Sequence, residues 1–249
     1  MNRFFLDEIN KDIIAITGDD YKHAKKVLRL NENDRVLGVY KGKEYLAKII
    51  SDDDSKLILN LLEETEITRE ADVDIHIYQS LPKGSKMDYI IQKNVEIGIS
   101  RLTPIISDRS LIKIKNKKKE KKKIERWVKI SEESAKQSMR NVIPDINRII
   151  SFEETVKEIK RLKEECNLEV IVPYENEEIN STKDINFNKK NYAAVIGPEG
   201  GFDENEISSL VEIGAKSISL GPRILRTETA ALVLSTIILH ETDNMRRKL

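Results

Sequence analysis

The chain has 249 residues, with 43 basic and 43 acidic side chains, three His and one Cys. The lone Cys166 excludes an internal disulfide framework and any cluster of Cys metal ligands, and three scattered His have no recognisable ligand spacing. No apolar run approaches the roughly eighteen residues needed to cross a bilayer, and the start Met-Asn-Arg-Phe-Phe lacks the apolar core of a secretory signal. The expectation is a globular, cytoplasmic protein of one large or two small domains, with no metal and no membrane partner.

From residue 1 to about 70, short apolar runs at Ile13–Ile16, Val36–Tyr40, Tyr45–Ile50 and Leu57–Leu62 read as strands. Lys41-Gly42 has the Gly of a tight hairpin, and Asp52-Asp53-Asp54-Ser55 marks another turn, so a small β-barrel is expected. Between the first strands, Tyr21–Leu30 reads as a short helix with a basic face of His23, Lys25, Lys26 and Arg29.

Beyond Glu70 strands and helices alternate, which implies an α/β domain. Asp74–Ser80 is a strand, Ser85–Ile97 has helical spacing and ends at Gly98, and Leu102–Ile106 is the next strand. The middle third, residues 73–150, holds 18 basic against 9 acidic side chains, a net charge of about +9. Its densest stretch, Ile112–Ile124, carries eight Lys against Glu120; self-repulsion predicts an extended or mobile stretch, either a solvated loop or a phosphate contact. Helical signals return at Lys123–Met139 and after Ser151, whose hydroxyl and Glu154 form a capping box. Glu169–Val172, Tyr192–Ile196 and Ser217–Leu220 read as strands, with Asp203 and Glu206 capping a helix between the last two. Cys166, in step with Ile159 and Leu162, reads as a core residue. The final helix, about Glu228–His240, has scarcely any polar face, so it is buried either within one chain or against a second copy; the pattern favours the second copy.

Two glycine-containing loops follow strands of this domain: Gly197-Pro198-Glu199-Gly200-Gly201-Phe202, and Leu220-Gly221-Pro222-Arg223-Ile224-Leu225-Arg226-Thr227-Glu228-Thr229-Ala230. Neither has the spacing of a dinucleotide fingerprint or a P-loop. Each alone is consistent with a plain strand-to-helix turn. Both also lie where open α/β sheets bind ligands, at strand C-termini, where glycine lets a ligand approach the backbone.

Taken together, the two loops ahead of an apolar C-terminal helix resemble the SPOUT class of methyltransferases, and within it the RsmE-type 16S ribosomal RNA (uracil-N3) methyltransferases. Supporting segments include His23 with Val27-Leu28-Arg29-Leu30, Lys83-Gly84-Ser85-Lys86-Met87-Asp88, Glu96-Ile97-Gly98, Asp108-Arg109-Ser110 and Ala135-Lys136-Gln137-Ser138 with Arg140. The chain departs from the pattern at Met139, where the family usually has Gly, and at Asn33, where Gly is common.

The resemblance implies a PUA-like β-barrel for RNA at residues 1–70 and a SPOUT α/β domain with a deep trefoil knot at 73–249. It implies S-adenosyl-L-methionine as cofactor, a homodimer, and 16S rRNA within the small ribosomal subunit as partner. By the same analogy Pro173, Tyr174, Gly197, Pro198, Glu199, Gly200, Gly201, Leu220, Gly221, Arg223, Ile224, Leu225 and Arg226 form the cofactor pocket. Uracil N3 becomes nucleophilic only as its proton leaves and charge spreads onto the carbonyl oxygens. Arg223 and Arg226 are candidates to stabilise that anion or to fix a phosphate, or else they pair with Glu199 or Glu228. Glu199, Glu228 and Glu96 are candidate bases or orienters. Arg3, His23, Lys25, Lys26 and Arg29, with Arg109, Gln137 and Arg140 from the catalytic domain, are the expected RNA contacts. The alternatives are a related knotted enzyme acting on another RNA atom, or a ribosome-associated binding module without catalysis.

Overall fold

A computed structural model describes residues 1–6, 13–110 and 117–246. The chain divides into two compact units, Met1–Glu70 with Ala135–Val142, and Ala71–Ser134 with Ile143–Leu249.

The first unit contains β1 (Arg3–Phe5), β2 (Ile13–Ile16), α1 (Gly18–Lys26), β3 (Arg35–Tyr40), β4 (Lys43–Asp52) and β5 (Leu57–Thr65). They form one sheet in the order β1-β3-β4-β5-β2, with β1 parallel to β3 and the remaining pairs antiparallel. Two register shifts, at Leu46/Ala47 and Ile49/Ser51, interrupt the β4–β5 ladder; such bulges increase local twist and let a sheet curl around its own core. That core is Phe4, Ile14, Ile16, Val36, Ala47, Ile49, Leu57 and Leu59, closed by Ala24 and Leu30. At the β3–β4 turn Lys41 and Gly42 both have positive φ, 47° and 80°, as the tight hairpin requires. The short β1 carries no period in the sequence and was not expected as a strand.

Charge is buried in this unit. The Arg3 guanidinium pairs with Glu44, their side chains 1% and 2% exposed, and donates to Asn141 Oδ1 at 2.7 Å. Thr65 and Arg69 also donate to the Glu44 carboxylate. Arg140 donates to Glu70 at 2.5 Å, and the Asn141 amide reaches the same carboxylate at 2.6 Å. Burial lowers the Arg3 pKa, because it disfavours the charged form. For Glu44 burial acts in the opposite sense, but hydrogen bonds from Thr65 and Arg3 outweigh it and hold the carboxyl below its ordinary range.

Two corrections follow. Arg3 and Arg140, expected at the RNA, are committed to internal carboxylates, and Gln137 and Arg140 group with the first unit and not with the catalytic domain. Both family departures fall at left-handed positions, Asn33 at φ 74° and Met139 at φ 61°, which explains why glycine suits them.

The second unit is a parallel sheet. Its strands are β6 (Asp74–Ser80), β7 (Arg101–Ile106), β8 (Asp145–Ile146), β9 (Ile150–Ser151), β10 (Leu168–Pro173), β11 (Asn191–Ile196) and β12 (Lys216–Ile218). The order is β12-β10-β11-β6-β7-β8, with β9 also on β7. The helices are α2 (Lys86–Ile97), α3 (Lys117–Gln137), α4 (Phe152–Glu165), α5 (Glu204–Glu212) and α6 (Thr227–Glu241); the last three residues of α3 belong to the first unit. Capping boxes at Ser151/Glu154 and Asp203/Glu206 start α4 and α5. Tyr78, Ile105, Ile159, Val170, Val195, Phe202 and Leu210 lie in the core on one face, while α2 and α6 pack together on the buried Asn94–Ser235 hydrogen bond of 2.8 Å. Cys166 is half-buried against that core.

Here too the sequence misleads in places. Lys117–Lys123 are helical, not extended; Lys113 and Lys115 lie outside the described residues. Trp127, 4% exposed and donating to Asp88 at 3.1 Å, anchors this helix and leaves most of the Lys on its solvent side. The two-residue strands β8 and β9 are too short to leave a period.

Replacing Glu44 by Ala should lower unfolding stability by about 3–5 kcal/mol, because it strands Arg3 as an uncompensated buried charge. The carboxyl pKa is depressed by folding, so its stabilisation is complete above the unfolded value and fades as pH falls through the folded one. Denaturant unfolding of wild type and Glu44→Ala should therefore converge in acid; equal stability at pH 7 would contradict the clasp.

Candidate functional site

In a parallel sheet every strand delivers its following loop to the same edge. Because β10 lies between β12 and β11, Pro173-Tyr174, Gly197–Gly201 and Leu220–Arg226 are neighbours there, and β6 brings Lys83–Lys86 alongside. Pro173, Tyr174, Leu220 and Leu225 are half-buried, Pro198 is buried, and Ile224 is 89% exposed. The Tyr174 amide donates to the Ile218 carbonyl at 3.0 Å, and the Gly201 amide closes a turn on Pro198 at 3.0 Å. Gly201 has φ 68°, and a Cβ there would strike the Glu175 carboxylate; Gly221, φ 107°, has nothing within 4 Å of its would-be Cβ.

A buried relay ties three of these segments. Gln79 on β6 donates to the Thr227 hydroxyl at 2.9 Å, and that hydroxyl donates to the Gly197 carbonyl at 2.6 Å. Gln79 is fully buried, and Thr227 is the first residue of α6. The second loop is thereby pinned to the first.

Beside the relay stands an ionic triad. Lys86 Nζ lies 3.0 Å from Glu199 Oε1 and 3.5 Å from Glu228 Oε2. The Lys83 amide adds a 3.1 Å bond to the same Glu199 oxygen. Burial pushes the Glu199 carboxyl up, but the Lys86 and Lys83 hydrogen bonds outweigh it and keep the group below its ordinary range. The Glu199 hydrogen bond raises the Lys86 ammonium correspondingly. Glu228, the least exposed of the three, has a buried Oε2 with no hydrogen bond.

Arg223 and Arg226 are exposed and make no ion pair among the described residues; the partner of Glu199 and Glu228 is Lys86. Lys86 lies in the Lys83–Asp88 segment that supports the family resemblance, but the sequence assigns it no role, because its carboxylate partners are distant in the chain. Glu96 pairs with Lys93 near the end of α2, ten residues and about 15 Å along the helix from Lys86, so it lies away from this edge.

A second tie holds the neighbouring loop. Glu206, 4% exposed, accepts the amides of Asp108 and Asp203, each at 2.9 Å. Burial raises its pKa. Arg109 is half-exposed and donates to the Gly200 carbonyl at 3.2 Å. In the first unit His23, Lys26 and Arg29 are exposed without an ion pair among the described residues, whereas Lys25 is tied to Asp52 at 2.8 Å. Gln137 is exposed. A cleft of about 390 Å³ runs along β12, lined in part by Asn180, Val211 and Ser217, and includes no residue of the three loops.

The RNA methyltransferase domain model matches residues 69–239, and the RNA methyltransferase PUA domain model matches 16–62. Fold and loop set thus define an RNA methyltransferase with an appended PUA domain. The chain is 34% identical to ribosomal RNA small subunit methyltransferase E of Bacillus subtilis, over 99% of both chains. It is 32% identical to the Aquifex aeolicus protein of the same name, over 96% of this chain and all of that one. The solved structure of a Neisseria gonorrhoeae ribosomal RNA small subunit methyltransferase E bound to S-adenosyl methionine superposes with a TM-score of 0.86, at 27% identity over 96% of this chain and 97% of that one. The chain belongs to the ribosomal RNA small subunit methyltransferase E family.

Substituting Glu206 by Ala should speed amide hydrogen exchange at Asp108 and Asp203 by about tenfold, one lost hydrogen bond each, while interior amides of β11 keep their protection. Unchanged exchange at both positions would mean Glu206 does not hold the loops.

Proposed function

We propose that the chain, an S-adenosylmethionine-dependent methyltransferase of small-subunit rRNA, places its methyl group on N3 of one uridine. It acts in the cytoplasm as a knotted homodimer on 16S rRNA within the small ribosomal subunit. The observation that carries the reading is the convergence of the three loops after β10, β11 and β12 at one sheet edge, two of them tied together by the Gln79–Thr227–Gly197 relay. Backbone groups of Gly197–Gly201 and Leu220–Arg226, the half-buried Tyr174 and Leu225, and the open space at Gly221 suit a neutral base with a short charged tail. When bound, the sulfonium supplies an electrophilic methyl group for in-line displacement.

The chain's own work is to orient the uracil and manage its charge. Glu199, held ionised, accepts the hydrogen bond from N3–H and receives that proton as N3 is methylated, and Glu228 balances Lys86. Arg226, with Arg223, meets either the negative charge that spreads over the uracil oxygens or an adjacent phosphate. His23, Lys26 and Arg29 in one unit and Arg109 in the other bind phosphates.

The dimer reading rests on α6. One face of that helix, Ala231, Leu234, Ile238 and Leu239, is buried within the chain, while Leu232, Val233 and Ile237 on the other are only half-covered. An apolar face of that kind fits a second copy.

Incubation of the protein and S-adenosylmethionine with small subunits lacking the modification should yield N3-methyluridine on digestion and mass spectrometry. A different methylated nucleoside would overturn the N3 assignment, and none at all would overturn the reading. Arg226→Ala should lower turnover at least about tenfold with cofactor affinity within threefold; parallel loss of both would place it in the cofactor pocket. Neutralising Lys26 and Arg29 should reduce the salt slope of RNA binding by about one to two units, and an unchanged slope would remove them from the interface.

A further inference from the structure

Lys86 and Glu199 form a paired donor and acceptor at the reacting edge, and both remain reachable, their side chains 34% and 26% exposed. Their positions are over-determined. The Lys83 amide fixes one Glu199 oxygen, and Glu228 holds Lys86 from a second direction at 3.5 Å. An ammonium donates only, and an ionised carboxylate accepts only.

Of the two standard RNA pyrimidines, one complements that pattern. Uracil presents N3–H as a donor beside O4 as an acceptor, whereas cytosine presents a lone pair at N3 beside an amino donor. A carboxylate facing N3 and an ammonium facing O4 satisfy uracil twice and oppose cytosine twice.

We propose that Lys86 and Glu199 are the specificity-determining pair of this enzyme, reading the Watson–Crick edge of the target uracil, with Glu228 as the positioning residue that keeps Lys86 in place. The proposal rests on the N3-uridine reading above. It gives the lysine between two carboxylates a purpose: its ammonium marks the oxygen next to the reacting nitrogen and favours the negative charge that develops there.

The test measures recognition without turnover. Once the modified position is mapped, small subunits are prepared with uridine or cytidine there, and binding of the full-length protein is measured in the absence of cofactor. Wild type should prefer uridine by about tenfold or more. Glu199→Gln, whose amide offers a donor as well as an acceptor, and Lys86→Met should each bring that preference within threefold, while Lys86→Arg, which keeps a donor, should retain most of it. Melting temperature checks that each variant is folded. A merely structural ion pair would weaken binding to both subunits equally and leave the ratio intact; that result, or a wild type without preference, overturns the proposal. Detection of N3-methyluridine alongside an unchanged ratio would sink this inference alone, whereas its absence would sink the reading beneath it.

Discussion

A threonine hydroxyl has one proton to give, and Thr227 gives it to the carbonyl of Gly197 while accepting from Gln79. Those two bonds join the end of β6, the loop after β11 and the start of α6, the first of them 148 positions from the last and the other two 30 positions apart. Gln79 and Thr227 are buried and Gly197 is half-buried, so removing the hydroxyl would cost the Gln79 amide one of its two acceptors and the Gly197 carbonyl its donor. With Gly197 and Thr227 fixed, Glu199 lies two residues beyond one anchor and Glu228 one residue beyond the other, which is why both carboxylates meet Lys86. The Gly221–Arg226 loop, by contrast, is mostly exposed.

The two units use charge in opposite ways. In the first, Arg3, Glu44, Glu70 and Arg140 are spent on each other, and the interaction fastens Ala135–Val142 to the sheet. Beside the two glycine loops, Arg223 and Arg226 are left exposed, and Lys86, paired with two carboxylates, keeps a third of its side-chain surface in water. A clasp needs desolvated charges with every partner supplied internally, whereas a site for polyanionic RNA needs charges whose partner is the ligand.

That contrast also marks what the sequence could reveal. The alternation of strands and helices beyond Glu70, the capping boxes at Ser151 and Asp203, the Lys41-Gly42 hairpin and the two glycine loops were legible because each follows from local periodicity or backbone geometry. Arg3 and Arg140 were misread because an arginine in a clasp and one on a phosphate look alike until the fold places Glu44 and Glu70 beside them. The role of Lys86, named only as part of a motif segment, was illegible for the converse reason: its partners lie 113 and 142 positions away. The helix at Lys117–Lys123 shows tertiary context overriding local repulsion, since Trp127 on the buried side decides the conformation that eight lysines in a row of thirteen residues argue against.

The central claim, that the hydroxyl relay sets up the cofactor loops, is tested most directly by calorimetric titration of S-adenosylmethionine into Thr227→Val and Thr227→Ser. Valine keeps the shape and removes both hydrogen bonds, so affinity should fall about tenfold or more, while serine, which restores the hydroxyl, should bind within threefold of wild type. Wild-type affinity in a folded Thr227→Val protein would contradict the account.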